Sequence, residues 1–275
     1  MKPQPQILSL AALVERVPDG CLLAAPADYS GVPMAATRAL IRRKARDLRL
    51  FCVPFSTLQA DLLIGSGCAT AIEGAAVTLG EYGLAPRFTA AVEAGAITMR
   101  DSTCPAVHAA LQATEKGVPF MPLRGLIGSD ILEHQPDWKV IDNPFEPNDP
   151  IVLLPAVAPD VALIHAEKAD EEGNLWIGRR RELATLAHAA KRTLATVERI
   201  EKGSFFDDEA TAAGVLPALY VEAIAEAPKG AWPLGMGDLY PEDGEHLRDY
   251  VRLARTPEGF ASYLERHVTK RTAAA

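Results

Sequence analysis

Three short segments of this chain gather residues that can hold or attack a carbonyl group. The first is Asp28-Tyr29-Ser30-Gly31, which follows the apolar run Cys21 to Ala25 and precedes Pro33, where a helical pattern opens. A loop between a strand end and a helix N-terminus can bind an anion or a carbonyl oxygen on the helix N–H groups. The same residues can equally form a plain turn in which Asp28 or Ser30 bonds nearby backbone. The second segment is Glu81-Tyr82-Gly83. Its carboxylate could act as a nucleophile, could line a shared pocket, or could serve only as a loop or helix-entry group. The third is Arg124 with Gly128-Ser129-Asp130. Arg suits bidentate clamping of a carboxylate, yet it could instead hold its own loop through carbonyl bonds. Asp130, ahead of Ile131-Leu132, also fits a helix N-cap. Two further groups read more plainly. His165 sits inside an apolar strand as a satisfied core histidine. Arg179-Arg180-Arg181 reads as a solvated charge run, with contact to a ligand's phosphates as the sharper alternative.

Several other chemistries find no support. The six histidines show neither H-x-x-x-H nor H-E-x-x-H spacing, so no metal site is expected. Gly65-Ser66-Gly67 lacks the third glycine of a dinucleotide fingerprint, and no P-loop Gly-Lys-Ser/Thr occurs. Cys21, Cys52, Cys68 and Cys104 form no C-x-x-C pair and are expected to be buried free thiols. A formal charge of -8 opposes non-specific binding to DNA or anionic membrane, so neither partner is expected. Met1-Lys2-Pro3-Gln4-Pro5 leads into a short apolar run broken by Glu15 and Arg16, which is no secretory signal. No run approaches the ~20 apolar residues of a transmembrane helix, and a cytoplasmic location is expected.

The elements that must position these residues alternate. With 275 residues, 48% of them hydrophobic, a sizeable core is available. Strands are expected at Cys21 to Ala25, Leu50 to Pro54, Ile97 to Met99, Ile151 to Leu154, Val161 to Ala166 and, last, Thr193 to Val197. Helices are expected from Pro33 and over Pro86 to Ala94, where Gly95 serves as C-cap. A third begins at Thr103 or Cys104 with Pro105 in its first turn, and a fourth covers Glu182 to Lys191. Thr57 to Gly67 gives a short helix or turn. Pro119 to Asp130 reads as an ordered loop and Asn143 to Asp149 as an exposed one. This β-α-β-α order predicts an α/β fold with an open, mostly parallel sheet and helices on both faces. Residues 1–275 are expected to form a single domain, with a helical and loop-rich C-terminal extension from about residue 201.

Five segments in order carry a resemblance. They are Val17-Pro18-Asp19-Gly20 with Gly31-x-Pro33-Met34-Ala35; Glu81 to Phe88 running into Glu93-Ala94-Gly95; and Pro119-Phe120-Met121-Pro122-Leu123-Arg124-Gly125 with Gly128 to Leu132. Asp160 to Asn174 and Tyr220-Val221-Glu222 through Pro228-x-Gly230-Ala231 complete the set. Together they resemble the alpha subunit of family I coenzyme A transferases, nearest the glutaconate CoA-transferase branch. That branch also holds alpha subunits of steroid-ring-cleaving CoA hydrolases. The match covers nearly the whole chain and implies a sugar-phosphate-isomerase-like CoA-transferase fold.

The resemblance implies a subunit of a hetero-oligomer that moves CoA between an acyl-CoA and a carboxylic acid. The reaction passes through a glutamyl anhydride and a glutamyl-CoA thioester, and the nucleophilic glutamate belongs to a beta subunit. Coenzyme A is then a co-substrate, with no cofactor bound permanently. Relatives carry Gly-Gly-Phe after the first strand, whose amides face the reacting carbonyl. Here Ala25-Pro26-Ala27 stands there, and Pro26 has no N–H to offer. The oxyanion role must move to the amides of Asp28, Tyr29, Ser30 and Gly31. Glu81, Arg124, Gly128, Ser129 and Asp130 are the further substrate or CoA-binding candidates, with Glu81 a less favoured nucleophile. A CoA-thioester or ring-cleaving hydrolase subunit, or a non-catalytic paralogue, remains the alternative.

Overall fold

Leu23, Leu50 and Leu163 point to one face of a sheet and Ala24, Phe51 and Ile164 to the other, and all six are buried. Apolar residues on both sides of the pleat require helices on both sides. The structure, a computed structural model, describes residues 4–269. Met1, Lys2 and Pro3, part of the N-terminus read above as lacking a signal, lie outside the described residues.

The main sheet contains β1 (Gln6–Ile7), β2 (Leu22–Pro26), β3 (Leu48–Val53), β4 (Ala69–Gly74), β5 (Thr98–Asp101), β6 (Val161–Asp170), β7 (Thr193–Glu201) and β8 (Ala223–Glu226). Their order across the sheet is β1-β8-β7-β6-β2-β3-β4-β5, and each neighbouring pair is parallel. The chain winds outward from β2 through β3, β4 and β5. It then returns to the other side of β2 as β6 and winds outward again. β2 and β6 therefore flank the switch point, and the crevice beyond their C-terminal ends is where open α/β sheets bind ligands. Two short strands, Leu175–Trp176 and Val215–Leu216, add to β6 antiparallel.

Helices α1 (Leu10–Val14), α2 (Met34–Arg43) and α3 (Leu58–Gly65) cover the Leu23 face, with Leu13, Leu40 and Leu63 in its core. Helix α4 (Pro86–Glu93) packs on α3. Helices α5 (Cys104–Glu115) and α6 (Arg181–Ala189) cover the other face through Val107, Leu111, Leu183 and Leu186. Thr103 caps α5, its hydroxyl accepting from Ala106 N at 3.3 Å. Gly95 follows α4 at φ 62°, a conformation glycine adopts without strain.

The tail helices α7 (Gly244–Ala254) and α8 (Pro257–Leu264) lay Tyr250, Val251, Phe260 and Tyr263 on Val32, Met34, Leu58 and Leu62. Asp61 pins them. Its buried carboxylate accepts from Tyr250 Oη at 2.5 Å and Phe88 N at 2.7 Å, and burial pushes its carboxyl up to about 6. The tail helices thus brace the segment leading into α2, one wall of the site below.

Four expectations need correction. Pro119 to Asp130 is not all loop. Phe120–Leu123 pairs antiparallel with Pro150–Pro155, which also pairs with Lys139–Asp142, forming a separate three-stranded sheet. Pro122 is tolerated because its strand lies at an edge. The strand at Ile151 to Leu154 therefore belongs to this lobe, which packs on α5 through Val152 and Leu154. Thr193 to Val197 is not the last strand, since β8 inserts between β7 and β1. Cys104 is exposed at the start of α5, while the other three cysteines are buried. No helix among the described residues is long and apolar enough to cross a membrane.

Candidate active site

β2 ends at Pro26, and after Ala27 the chain makes a single 3-10 turn over Asp28–Ser30. Gly31 then takes φ 88°, and its carbonyl accepts from His165 N on β6 at 3.0 Å. A Cβ at position 31 would lie 2.1 Å from His165 O, so only glycine lets the loop seat on β6 across the switch point. Ser30 donates its hydroxyl to Glu182 in the first turn of α6. Thr57 donates to Asp28. Burial pushes the Asp28 carboxyl up to about 6; the Thr57 bond opposes the rise and the Glu242 charge adds to it.

The backbone donors divide sharply. The expectation that α2's N-terminal amides would hold an anion is not met by its first two. Met34 N bonds Val32 O at 2.9 Å and Ala35 N bonds Gly230 O at 2.8 Å. Ser30 N is spent on Ala27 O at 2.9 Å. Asp28, Tyr29 and Gly31 are left as the amides of this loop able to meet a carbonyl oxygen, and all three residues line a cleft of about 630 Å³.

The opposite wall of that cleft is residues 234–242, and a buried network anchors it. His165 is fully buried, with Nε2 2.8 Å from Glu198 Oε1 and Nδ1 2.8 Å from Thr196 Oγ1. Glu198 also accepts from Tyr240 Oη, from Lys229 N at 2.6 Å and from Gly230 N at 3.1 Å. Burial opposes ionisation of Glu198, but the bonds from His165, Tyr240 and Lys229 and the His165 charge outweigh it and hold the carboxyl below its ordinary value. A Cβ on Gly230 would meet His165 Cε1 at 2.4 Å, so the turn closes over the imidazole only with glycine there. His165 is thus the satisfied core histidine expected. Its backbone grips the Gly31 loop and its ring grips the facing wall.

Glu81 is exposed on a 3-10 turn, Gly80–Tyr82, and lines a second cleft of about 420 Å³ together with Asp28, Thr57, Tyr82 and Glu242. Asp28, Leu234 and Glu242 line both clefts, so the two adjoin. Arg124, Gly128, Ser129 and Asp130 line neither. Arg124 Nε donates to Asp149 Oδ1 at 2.8 Å and its Nη2 to Oδ2, a fork that closes the lobe's own loop. The Arg124 and Asn143 bonds bring the Asp149 carboxyl down to about 2. Ser129, not Asp130, caps the turn Asp130–His134, its hydroxyl accepting from Ile131 N at 3.3 Å. Gly128 sits before it at φ 81°.

Four residues that the sequence left as a charge run or did not single out complete the cleft: Arg179, Arg180, Glu182 and Tyr240. The arginine triplet is split. Arg181 donates to Ala213 O at 2.8 Å, while Arg179 and Arg180 line the cavity. No local signal marks them, because the wall they face comes from residues 234–242. Among the described residues no group of three or more His, Cys, Asp or Glu side chains is placed to hold a metal ion.

A parallel sheet with a polar, partly preorganised cleft at its switch point describes an α/β enzyme subunit of the acyl-handling kind. Comparison narrows the class. The family model for coenzyme A transferase matches residues 7–227. One subunit of the 3-oxoadipate CoA-transferase from Pseudomonas knackmussii is 32% identical over 274 residues, covering 96% of this chain and 93% of that one. A protein of Archaeoglobus fulgidus is 35% identical over 212 residues, covering 76% of this chain and 46% of its own length. Glutaconate coenzyme A-transferase from Acidaminococcus fermentans superposes with a TM-score of 0.89 at 27% identity, covering 96% of this chain and 89% of that one. The C56S variant of the decarboxylase AibA/AibB superposes at 0.83 with 33% identity, covering 96% and 99%. The chain belongs to the coenzyme A transferase family.

Proposed function

We propose that the chain is the alpha-type subunit of a cytoplasmic CoA transferase, which moves CoA between an acyl-CoA and a carboxylic acid. A beta subunit supplies the nucleophilic glutamate. The partner's carboxylate attacks the thioester carbonyl and expels CoA thiolate, giving an anhydride. The thiolate attacks the glutamyl carbonyl, which releases the first acid and leaves glutamyl-CoA. The incoming acid repeats both steps in reverse. Anhydride formation retains much of the thioester's bond energy, so the exchange needs no other energy source. CoA enters as a co-substrate only. This chain contributes the amides of Asp28, Tyr29 and Gly31, aimed at the oxygen on which negative charge grows.

The observation that carries the proposal is the bonding state of the carboxylates around the two clefts. Glu182 accepts from Ser30, Glu242 from Tyr82, Asp28 from Thr57, and Glu198 from His165, Tyr240 and two amides. A carboxylate so engaged is a poor nucleophile, and burial keeps Asp28 partly protonated as well. Glu81 on its exposed turn is the exception. A reaction that needs a free carboxylate therefore points to a partner.

The test is to purify the chain alone, and also mixed with a beta-type chain encoded beside its gene, and follow CoA exchange between an acyl-CoA and a set of acids. Exchange in the mixture alone is the expected result. Exchange by the lone chain, abolished by Glu81→Gln, places the nucleophile here instead. Free CoA released without an acceptor assigns a hydrolase, and carbon dioxide release a decarboxylase. Failure of any mixture to bind a CoA ester assigns a non-catalytic paralogue.

A further inference from the structure

Arg179 and Arg180 line the 630 Å³ cleft, and neither guanidinium has a hydrogen-bonding or ionic partner among the described residues. The carboxylates that share the cleft are engaged elsewhere: Asp28 with Thr57, Glu182 with Ser30 and Glu242 with Tyr82. The cleft thus presents two unspent cations against acids that already have donors. An unpaired guanidinium in a cavity is an anion receptor in waiting, because its planar fork matches a carboxylate with two parallel bonds.

The place of Arg180 is built. Its amide bonds Ile177 O at 3.1 Å, immediately before α6. Across the cleft, Gly237 adopts φ 52°, and a Cβ there would lie 2.5 Å from Arg180 Nη2. Any larger residue would occupy the guanidinium's position. The segment carrying Gly237 is held by Tyr240, which donates to Glu198 and accepts from Ala231 N at 3.1 Å. Glu198 bonds His165, and His165 N bonds Gly31 O. One continuous network therefore fixes the wall around Arg180 relative to the Asp28–Gly31 loop.

We infer that Arg180, with Arg179 beside it, receives the remote carboxylate of a short dicarboxylic acid whose other carboxylate reacts at the Asp28–Gly31 loop. This rests on the transferase reading above. Three considerations select the remote carboxylate. The reacting carboxylate loses its charge as the anhydride forms, so a permanent cation on it would favour the ground state; neutral amides suit it better. The phosphates of CoA are separated from its sulfur by the whole pantetheine arm, whereas Arg180 and the reaction loop share one cavity. A remote carboxylate keeps its charge throughout the reaction, and a fixed guanidinium then acts as a length gauge for the acid.

The experiment uses the complex of the chain with its beta-type partner. Calorimetric affinities for glutarate, butyrate and CoA are compared in wild type, Arg180→Gln and Arg180→Lys, together with the KM for each acid. Losing a charge-assisted fork should weaken glutarate by about tenfold to hundredfold in Arg180→Gln, leaving butyrate and CoA unchanged. Arg180→Lys should restore only part, since it keeps the charge and loses the fork. CoA weakened with glutarate intact assigns the cations to phosphate and overturns the inference. Equal weakening of butyrate and glutarate places Arg180 on the reacting carboxylate and overturns it too. No change in any ligand, or no glutarate binding by wild type, returns the pair to a solvated charge run. If Arg180→Gln loses glutarate but the complex exchanges no CoA, the transferase reading fails and the anion site stands. Exchange with an unaltered acid KM in Arg180→Gln removes the site alone.

Discussion

The switch-point cleft and the three-stranded lobe both carry an arginine, a serine and an aspartate beside glycines, yet they treat them in opposite ways. In the lobe every such group is spent locally. Arg124 closes on Asp149, and Ser129 caps the turn that Asp130 begins. In the cleft the bonds are arranged so that something remains. Arg179 and Arg180 have no partner among the described residues, three amides stay open, and burial lifts Asp28 to about 6. Residue types are alike in the two regions, and only the account of partners separates them.

The largest break in that contrast should come from Gly31→Ala. An alanine at φ 88° is strained, and its Cβ must escape His165 O at 2.1 Å. The loop would shift on the order of 1 Å, enough to cost on the order of 10²-fold in exchange rate. Steady-state kinetics of the complex, with circular dichroism as a folding check, reads this. Next is Glu198→Ala, which strands His165, Tyr240 and the Lys229 and Gly230 amides. A loss of about 3–5 kcal/mol in unfolding free energy is expected, as when one partner of a buried pair is removed. Urea denaturation measures it.

A smaller effect follows from Asp28 and Asp61, both raised to about 6 from an ordinary 3.8. Between those values the folded state holds more protons than the unfolded one. Stability therefore falls as pH rises through that window and levels off above it. Asp28→Asn should make the fall shallower, and Asp61 accounts for part of the slope that persists. Urea midpoints measured across the window would show this, and an unchanged slope would count against the buried placement of Asp28. The smallest effect belongs to Arg124→Ala in the lobe. Its bridge to Asp149 is solvent-exposed, so the acid KM should not move, and added salt should erase any stability change.

Much of the scaffold was legible because its signals are local. Pro86 and Gly95 bracket α4, Thr103 caps α5, and the apolar runs at β2, β3 and β6 are continuous as buried parallel strands must be. β4 escaped notice because Ala69 to Gly74 is made of small and polar residues whose strand character comes from its neighbours β3 and β5. β8 is short and alanine-rich, and it is specified by its place between β7 and β1. The loop Asp28–Gly31 was legible from glycine and chain order. Arg180 was not, since its significance depends on Gly237 and on a network through Glu198 that joins four separate segments.

The direct test of a partner-supplied nucleophile is the intact mass of each chain after the complex meets an acyl-CoA without an acceptor acid. The expected result is a covalent CoA adduct on the beta-type chain, with this chain unmodified. An adduct on this chain, mapped by peptide mass to Glu81, would contradict the account.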